Sequence, residues 1–370
     1  RSVGEPFTLI NMSGTASLTS DQTQARGRQG IALEYDYALA NSGTGLTATV
    51  TSVKASGQSK AVAESRMAGA ALINQGMDLV SEAGLASARA SITGNNEMAV
   101  FAAMAGGSSK YHTDSSVKVD GVSLMAGVGR NFKTTNGNLM GGVFFEAGYG
   151  DLNSHNNVSS GTIRGNGDSK YYGAGMMARY DVTTSALKGT YVEGSLHIGR
   201  VKTNWDSSDL EGDSGKVSAK NDTSNMYYGL HAGVGYVWNL TKRANLDLYG
   251  KYYWAHQGSD STNVAGDPFH FDSTDSHRTR LGGRLNLNLT ENVKPYLGAA
   301  WEHEFDGEAN AQVYGFDVAA PTLKGDSGIF ELGFSFKPAK NDNVSFDLGL
   351  QAYTGVREGV AGTAQFKYKF

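Results

Sequence analysis

The reactive residue types gather in three stretches. GDSG occurs twice, at Gly212 to Gly215 and at Gly325 to Gly328, and each copy sets a serine between a carboxylate and a glycine. A serine nucleophile needs a histidine base and an acid to orient it, and neither copy has a recognisable His and Asp partner; loop composition alone accounts for Gly, Asp and Ser together. FHFDSTDSH brings His270, Asp272, Asp275 and His277 close in sequence. That set is suited at most to weak binding of a divalent ion, and an enzyme reading would have to rest on it. WEHEF places Glu302, His303 and Glu304 side by side, but adjacent residues of a strand point to opposite faces and do not converge on one metal. The chain has no Cys, which removes thiol nucleophiles, thiolate metal sites and disulfides. No catalytic residue, metal site or cofactor is expected.

The elements that carry these stretches explain more. The 370 residues are 39% hydrophobic and only 18% charged, with 49 Gly and 5 Pro. Soluble domains carry roughly 25% charged residues and about half that share of Gly. The formal net charge of -4 and the absence of a basic stripe argue against a nucleic-acid partner, which requires an excess of Lys and Arg. From Met98 onward, apolar and polar residues alternate in twelve segments bounded by Gly, Asn, Asp, Ser or Thr, as strands with two different faces do. The segments are placed near 98–106, 117–132, 139–151, 169–183, 189–203, 224–240, 244–256, 281–289, 293–305, 329–337, 344–352 and 360–370. In LGGRLNLNL, Leu281, Leu285 and Leu287 share one face and Arg280, Arg284 and Asn286 the other.

Connections alternate between brief ones such as KTTNGN and NLTKRAN and long polar ones such as WDSSDLEGDSGKVSAKNDT. An even number of antiparallel strands, short turns on one side and long loops on the other is the pattern of an outer-membrane barrel. Aromatics gather near segment ends, as in Tyr236 and Trp238, Tyr252 and Trp254, and Trp301 and Phe305, where amphipathic rings suit the headgroup level. The alternative is a large soluble all-β protein. In a membrane barrel the charged residues Glu146, Arg179, Glu193, Asp247, Lys251, Arg284, Lys294, Glu302, Glu331 and Asp347 must line the lumen, because a charge at the lipid midplane costs about 2 to 4 kcal/mol. Their mixed signs suit a filled or gated lumen as well as an open pore.

Ahead of the strands, residues 58–92 are rich in Ala and long-chain residues and lack Pro, which predicts a helix of roughly 45 to 50 Å. Its Glu64, Arg66, Asn74, Gln75, Asp78 and Glu82 are spread along its length. Lipid is closed to such a helix, but a twelve-stranded lumen has room for one helix about 10 Å across; the alternative is a linker lying outside the barrel. An even strand count returns both barrel ends to one side, so an N-terminal segment on the other side must be connected through the pore. Residues 1–57 read as a few short strands, with Ile31, Leu33, Tyr35 and Tyr37 on one face, too few for an independent domain. With no initiating Met and no signal peptide at Arg1, the chain reads as a mature or excised fragment.

The LEYDYALANSG segment, the ESRMAGAALINQGMDL helix and twelve strands finishing on FKYKF together resemble the translocator domain of the classical type V autotransporters of Gram-negative bacteria. The resemblance covers the whole chain. It implies an all-β membrane protein: a 12-stranded antiparallel outer-membrane barrel over 93–370, an α-helix in its lumen over 58–92, and the C-terminal end of a passenger over 1–57. The implied function is to export that passenger and anchor it at the cell surface; a porin-like passive channel with a periplasmic N-terminal extension is the alternative. The implied partners are outer-membrane lipid, the β-barrel assembly machinery and the chain's own passenger, with the barrel a monomer. Phe366, Tyr368 and Phe370 resemble the family's assembly signal, a strand read by β-augmentation, and also suit a lipid-facing girdle. Some members of the family cut themselves between two Asn residues; Asn95 and Asn96 lie close to the first strand without the motif's acidic and hydrophobic surroundings, and read as a turn pair.

Overall fold

The computed structural model describes residues 2–14, 23–41, 45–91, 98–159, 161–290, 292–338 and 344–368. Asn95, Asn96, Phe370 and the side chain of Tyr368 lie outside the described set.

Four short strands come first: β1 (Pro6–Asn11), β2 (Gln24–Gln29), β3 (Leu33–Asn41) and β4 (Gly45–Ala55), paired in the order β1-β4-β3-β2. A helix follows as α1 (Ser59–Leu79), a π-helical turn (Val80–Gly84) and α2 (Leu85–Ser91). The rest is strand: β5 (Met98–His112), β6 (Ser116–Lys133), β7 (Gly137–Val158), β8 (Gly161–Val182), β9 (Thr190–Gly212), β10 (Gly215–Thr241), β11 (Ala244–Gln257), β12 (Asp260–Val264), β13 (Asp267–Phe271), β14 (Thr274–Leu287), β15 (Val293–Glu304), β16 (Ala311–Val313), β17 (Phe316–Val318), β18 (Gly325–Phe336), β19 (Val344–Gly355) and β20 (Arg357–Tyr368). Twelve of these close into one antiparallel barrel, and β20 pairs with β5 to seal it, from Arg357 opposite Tyr111 to Tyr368 opposite Val100. Strands β12, β13, β16 and β17 form a separate sheet over one end.

The faces of the wall are inverted relative to a water-soluble protein. Leu281, Leu297, Phe330, Leu332, Leu348 and Leu350 are all exposed, whereas Arg280, Glu302, Glu331 and Asp347 are buried on the inside. A band of large apolar side chains running around the outside is stable only against lipid. This excludes the soluble all-β alternative. Strand ends carry the aromatic residues: Tyr236 and Trp238 stand exposed near the end of β10, and Tyr252, Trp301 and Phe305 near the opposite end.

One expectation about the connections needs correction. Five connections are short, as read from the sequence, and define a turn end of the barrel. At the other end, the loop end, much of what reads as loop is strand. Strands β7 to β10 run to 22, 22, 23 and 27 residues, where about 9 to 11 cross a membrane. WDSSDLEGDSGKVSAKNDT is two ladder ends turning at Asp213–Ser214, with Lys220 opposite Asp206 and Asp222 opposite Asn204. Beyond the lipid the outer face is polar, so the apolar alternation disappears while backbone pairing continues; Trp205, Leu210 and Ala219 still point inward. The first GDSG is thus a hairpin turn, and the second begins β18.

The helix lies inside the barrel. Nearly all of α1 is buried on every side, including Glu64, Arg66 and Asp78, as happens to a helix surrounded by protein. It is thin where the wall crowds it: a Cβ on Gly76 would overlap the Tyr171 ring. Its first residues lie at the loop end, where Glu64 meets Thr113, and its last at the turn end, where Arg89 pairs with Asp181 at 3.3 Å.

Strands β1 to β4 sit at the loop end. Arg28 pairs with Glu211 at 2.5 Å, Gly30 N donates to Asp213 at 2.7 Å, and Ile31 N donates to Asp267 at 2.7 Å. Ile31, Leu33 and Tyr35 share one hydrophobic core with Phe269, Phe271 and Val313 of the capping sheet.

Candidate functional site in the barrel lumen

Asp78, on the last turn of α1, is held by three guanidinium groups of the wall. Arg278 Nη1 and Arg280 Nη2 each donate to Asp78 Oδ1 at 2.9 Å, and Arg357 Nη1 donates to Oδ2 at 3.0 Å. Glu302 stands behind them, accepting from Arg278 at 3.2 Å and from Arg280 Nη2 at 2.6 Å. Arg278 and Arg280 lie 4.6 and 5.2 Å from the Tyr253 ring, and Arg357 lies 3.6 Å from Tyr353. All of these charged groups are buried. Isolated, each would be very costly, so their mutual pairing is what permits the arrangement. It fixes both the depth and the rotation of the helix, since three points on β14 and β20 converge on one carboxylate.

The other polar residues of the helix also reach the wall. Glu82 meets Arg280 and accepts from Gln351 at 2.5 Å. Asn74 donates to Ser276 at 3.0 Å and Gln75 to Tyr111 at 3.1 Å. Arg66 donates to Asn225 at 3.0 Å and to the carbonyls of Gly258 and Asp272 at 2.7 and 3.1 Å. At the π-turn, Lys251 donates to Ser81 O at 2.7 Å and Tyr253 OH lies 2.8 Å from Ser81 Oγ.

The ten charged wall residues singled out from sequence all point into the lumen, but they divide into separate groups. Glu302 belongs to the Asp78 cluster. Arg179 and Lys251 both pair with Glu193, at 2.8 and 2.9 Å, and Arg179 also pairs with Asp181. Arg284 holds Glu331 with two bonds of 2.7 Å. Asp247 accepts from Tyr191 at 2.8 Å, and Asp347 lies 3.7 Å from Lys367. Arg179, Glu193, Asp247, Lys251, Arg284, Lys294 and Asp347 line a cavity of about 470 Å3 beside α2 at the turn end. Glu146 accepts from Tyr227 at 2.6 Å and lies 3.1 Å from His197.

The other reactive stretches disperse. His270 bonds Ser261 in the capping sheet and lies 3.5 Å from Asp272, whereas Asp275 takes Trp254 and His256 on the barrel wall and His277 meets Tyr252. Glu302 and Glu304 face inward and His303 outward to Asp326. Among the described residues no three His, Asp or Glu side chains converge as a metal site. Ser195 Oγ lies 2.9 Å from His197 Nε2, whose Nδ1 faces Glu146, the connectivity of a Ser-His-acid triad. Sequence reading did not select it, nor Arg278 and Arg357. The available signal was period two: Arg278, Arg280 and Arg284 share a strand face, as do Ser195 and His197.

Comparison with known proteins follows the same lines. The family model described as the autotransporter beta-domain matches residues 100–351. The chain belongs to the autotransporter beta-domain family. Its barrel is therefore an outer-membrane translocator, and the family implies a passenger polypeptide as its cargo. The fold is also that of three solved autotransporter domains. The translocator domain of NalP from Neisseria meningitidis superposes with a TM-score of 0.59 at 14% identity, covering 84% of this chain and 98% of that one. The beta domain of the Bordetella autotransporter BrkA gives 0.58 at 16% identity, covering 74% and 100%. The transport unit of AIDA-I from Escherichia coli gives 0.55 at 15%, covering 74% and 90%. No curated protein matches the chain by sequence comparison.

Proposed function

We propose that this autotransporter barrel exports its passenger through the lumen and afterwards holds it at the cell surface, with residues 1–57 as the passenger's C-terminal end. The observation that carries the proposal is the course of the helix: α1 and α2 run from the sheet at the loop end, through the lumen, to the turn end where β5 begins. In this reading the loop end faces outside the cell and the short turns face the periplasm. The Asp78 cluster is the stop that holds the helix once the passenger is out. The lumen does mechanical and packing work without catalysis: Ser195 and His197 are buried against Phe144, whose ring centre is 5.2 Å from that of His197, which leaves a substrate no approach.

We assign Phe366, Tyr368 and Phe370 to recognition by the β-barrel assembly machinery. Phe366 points outward and packs on Phe346 at 5.7 Å. In the closed barrel β20 is paired on both edges, so β-augmentation of this strand has to precede closure. We take the barrel to act as a monomer, a reading supported by sheet closure, which leaves no edge strand in the described wall for a second copy to pair with.

The test is an epitope tag placed before Arg1 in cells that assemble the barrel. Antibody binding to intact cells, lost on protease shaving while the barrel persists, is the expected result. A tag detected only after the outer membrane is permeabilised would place the N-terminus in the periplasm and favour a passive channel.

A further inference from the structure

The net charge of -4 conceals a segregation of charge between the two ends of the barrel. In sequence, the short connections, with the residue leading into each, carry six basic residues, Lys133, Lys188, Lys242, Arg243, Lys337 and Lys340, against two acidic ones, Glu291 and Asp342. At the loop end the balance reverses: Asp114, Asp213, Asp260, Asp272, Asp306 and Asp317 are among the acidic residues of connections whose only basic residue, among those described, is Lys324. The basic residues at the turn end do not stand alone. Phe132 precedes Lys133, Leu187 precedes Lys188, Trp238 and Leu240 precede Lys242, and Phe336 precedes Lys337, with every one of these apolar side chains exposed. Arg130 lies 5.5 Å over the Phe132 ring, which keeps a further cation at the level of the aromatics.

We propose that the turn end is a docking rim for anionic phospholipid headgroups. An aromatic or aliphatic residue anchored at the edge of the hydrocarbon, with a Lys or Arg one to a few positions beyond it, delivers the cation to the depth of the lipid phosphates. Repetition of that pair at four of five turns makes a discontinuous ring around the barrel. Charge complementarity selects the occupant: the rim is cationic and is surrounded by whatever lipid borders the wall. Docking requires only that the wall lie in a bilayer; which leaflet is met in the cell follows from the orientation proposed above.

The test measures lipid selectivity of the folded full chain in phosphatidylcholine vesicles, by the motionally restricted signal of spin-labelled phosphatidylglycerol compared with spin-labelled phosphatidylcholine. Phosphatidylglycerol is expected to be favoured severalfold, since each Lys or Arg at the surface contributes up to about fivefold. The preference should collapse in about 1 M salt, where screening acts within ~3 Å. It should also fall in the chain carrying K133Q, K188Q, K242Q, R243Q and K337Q, whose folding is checked by retarded migration of the unheated barrel on gels. Equal restriction of the two lipids, or a preference that survives both salt and the substitutions, would overturn the proposal. The salt arm uses the unaltered chain and so stands even if the substituted chain fails to fold. A failure of export in cells would leave this measurement untouched.

Discussion

At the scale of the residue, Asp78 is the side chain on which the lumen turns. Three arginines of the wall share its two oxygens, and removing one partner of a buried ionic group costs about 3 to 5 kcal/mol because the other charges are left unpaired. Asp78→Ala should therefore lower the temperature at which the unheated barrel loses its compact gel mobility by more than Arg357→Gln does, since in the latter Asp78 keeps Arg278 and Arg280. Equal midpoints for Asp78→Ala and the parent chain would mean that the cluster does not hold the helix. The lumen-facing charges were readable from alternation wherever an outward leucine or phenylalanine marked the opposite face, as for Arg284 and Glu331. Arg278 and Arg357 were not readable, because their outward neighbours His277 and Glu358 lie beyond the lipid and carry no apolar contrast.

At the scale of the element, the helix fits because it is narrow. Gly76→Leu should unseat it by collision with Tyr171, and Tyr171→Ala in the same chain should restore it; seating can be followed by protection of the helix from added protease. Continued full protection of the Gly76→Leu helix would show that the wall yields at that point. The β9–β10 extension has a different task. Replacing residues 206–220 by an Asn-Gly turn, which favours a tight hairpin and keeps Trp205 opposite Asn221, removes the contacts of Glu211 and Asp213 with Arg28 and Gly30. The barrel should still form, while residues 1–57 are released by limited proteolysis faster than in the parent chain. Strand number and the helix were legible in the sequence because each follows a hydrophobic period or a propensity. Strand length was not, since DSSDLEGDSGKVSAK pairs through its backbone, which composition does not report.

At the scale of the whole molecule, a plugged barrel and an open pore differ in conductance. The intact chain in a planar bilayer should conduct little, and a chain lacking residues 58–92 should open a large steady pore; a large conductance from the intact chain would contradict the filled lumen. The central claim is directional: the helix carries the N-terminal sheet to the outside while the short turns remain in the periplasm. The absence of Cys allows this to be measured with single substitutions, Asn11→Cys in β1 and Ala186→Cys in the turn after β8, probed in intact cells with a membrane-impermeant maleimide. The account predicts that Asn11→Cys is labelled at once and Ala186→Cys only after the outer membrane is permeabilised; labelling of Ala186→Cys in intact cells, with Asn11→Cys protected, would contradict it.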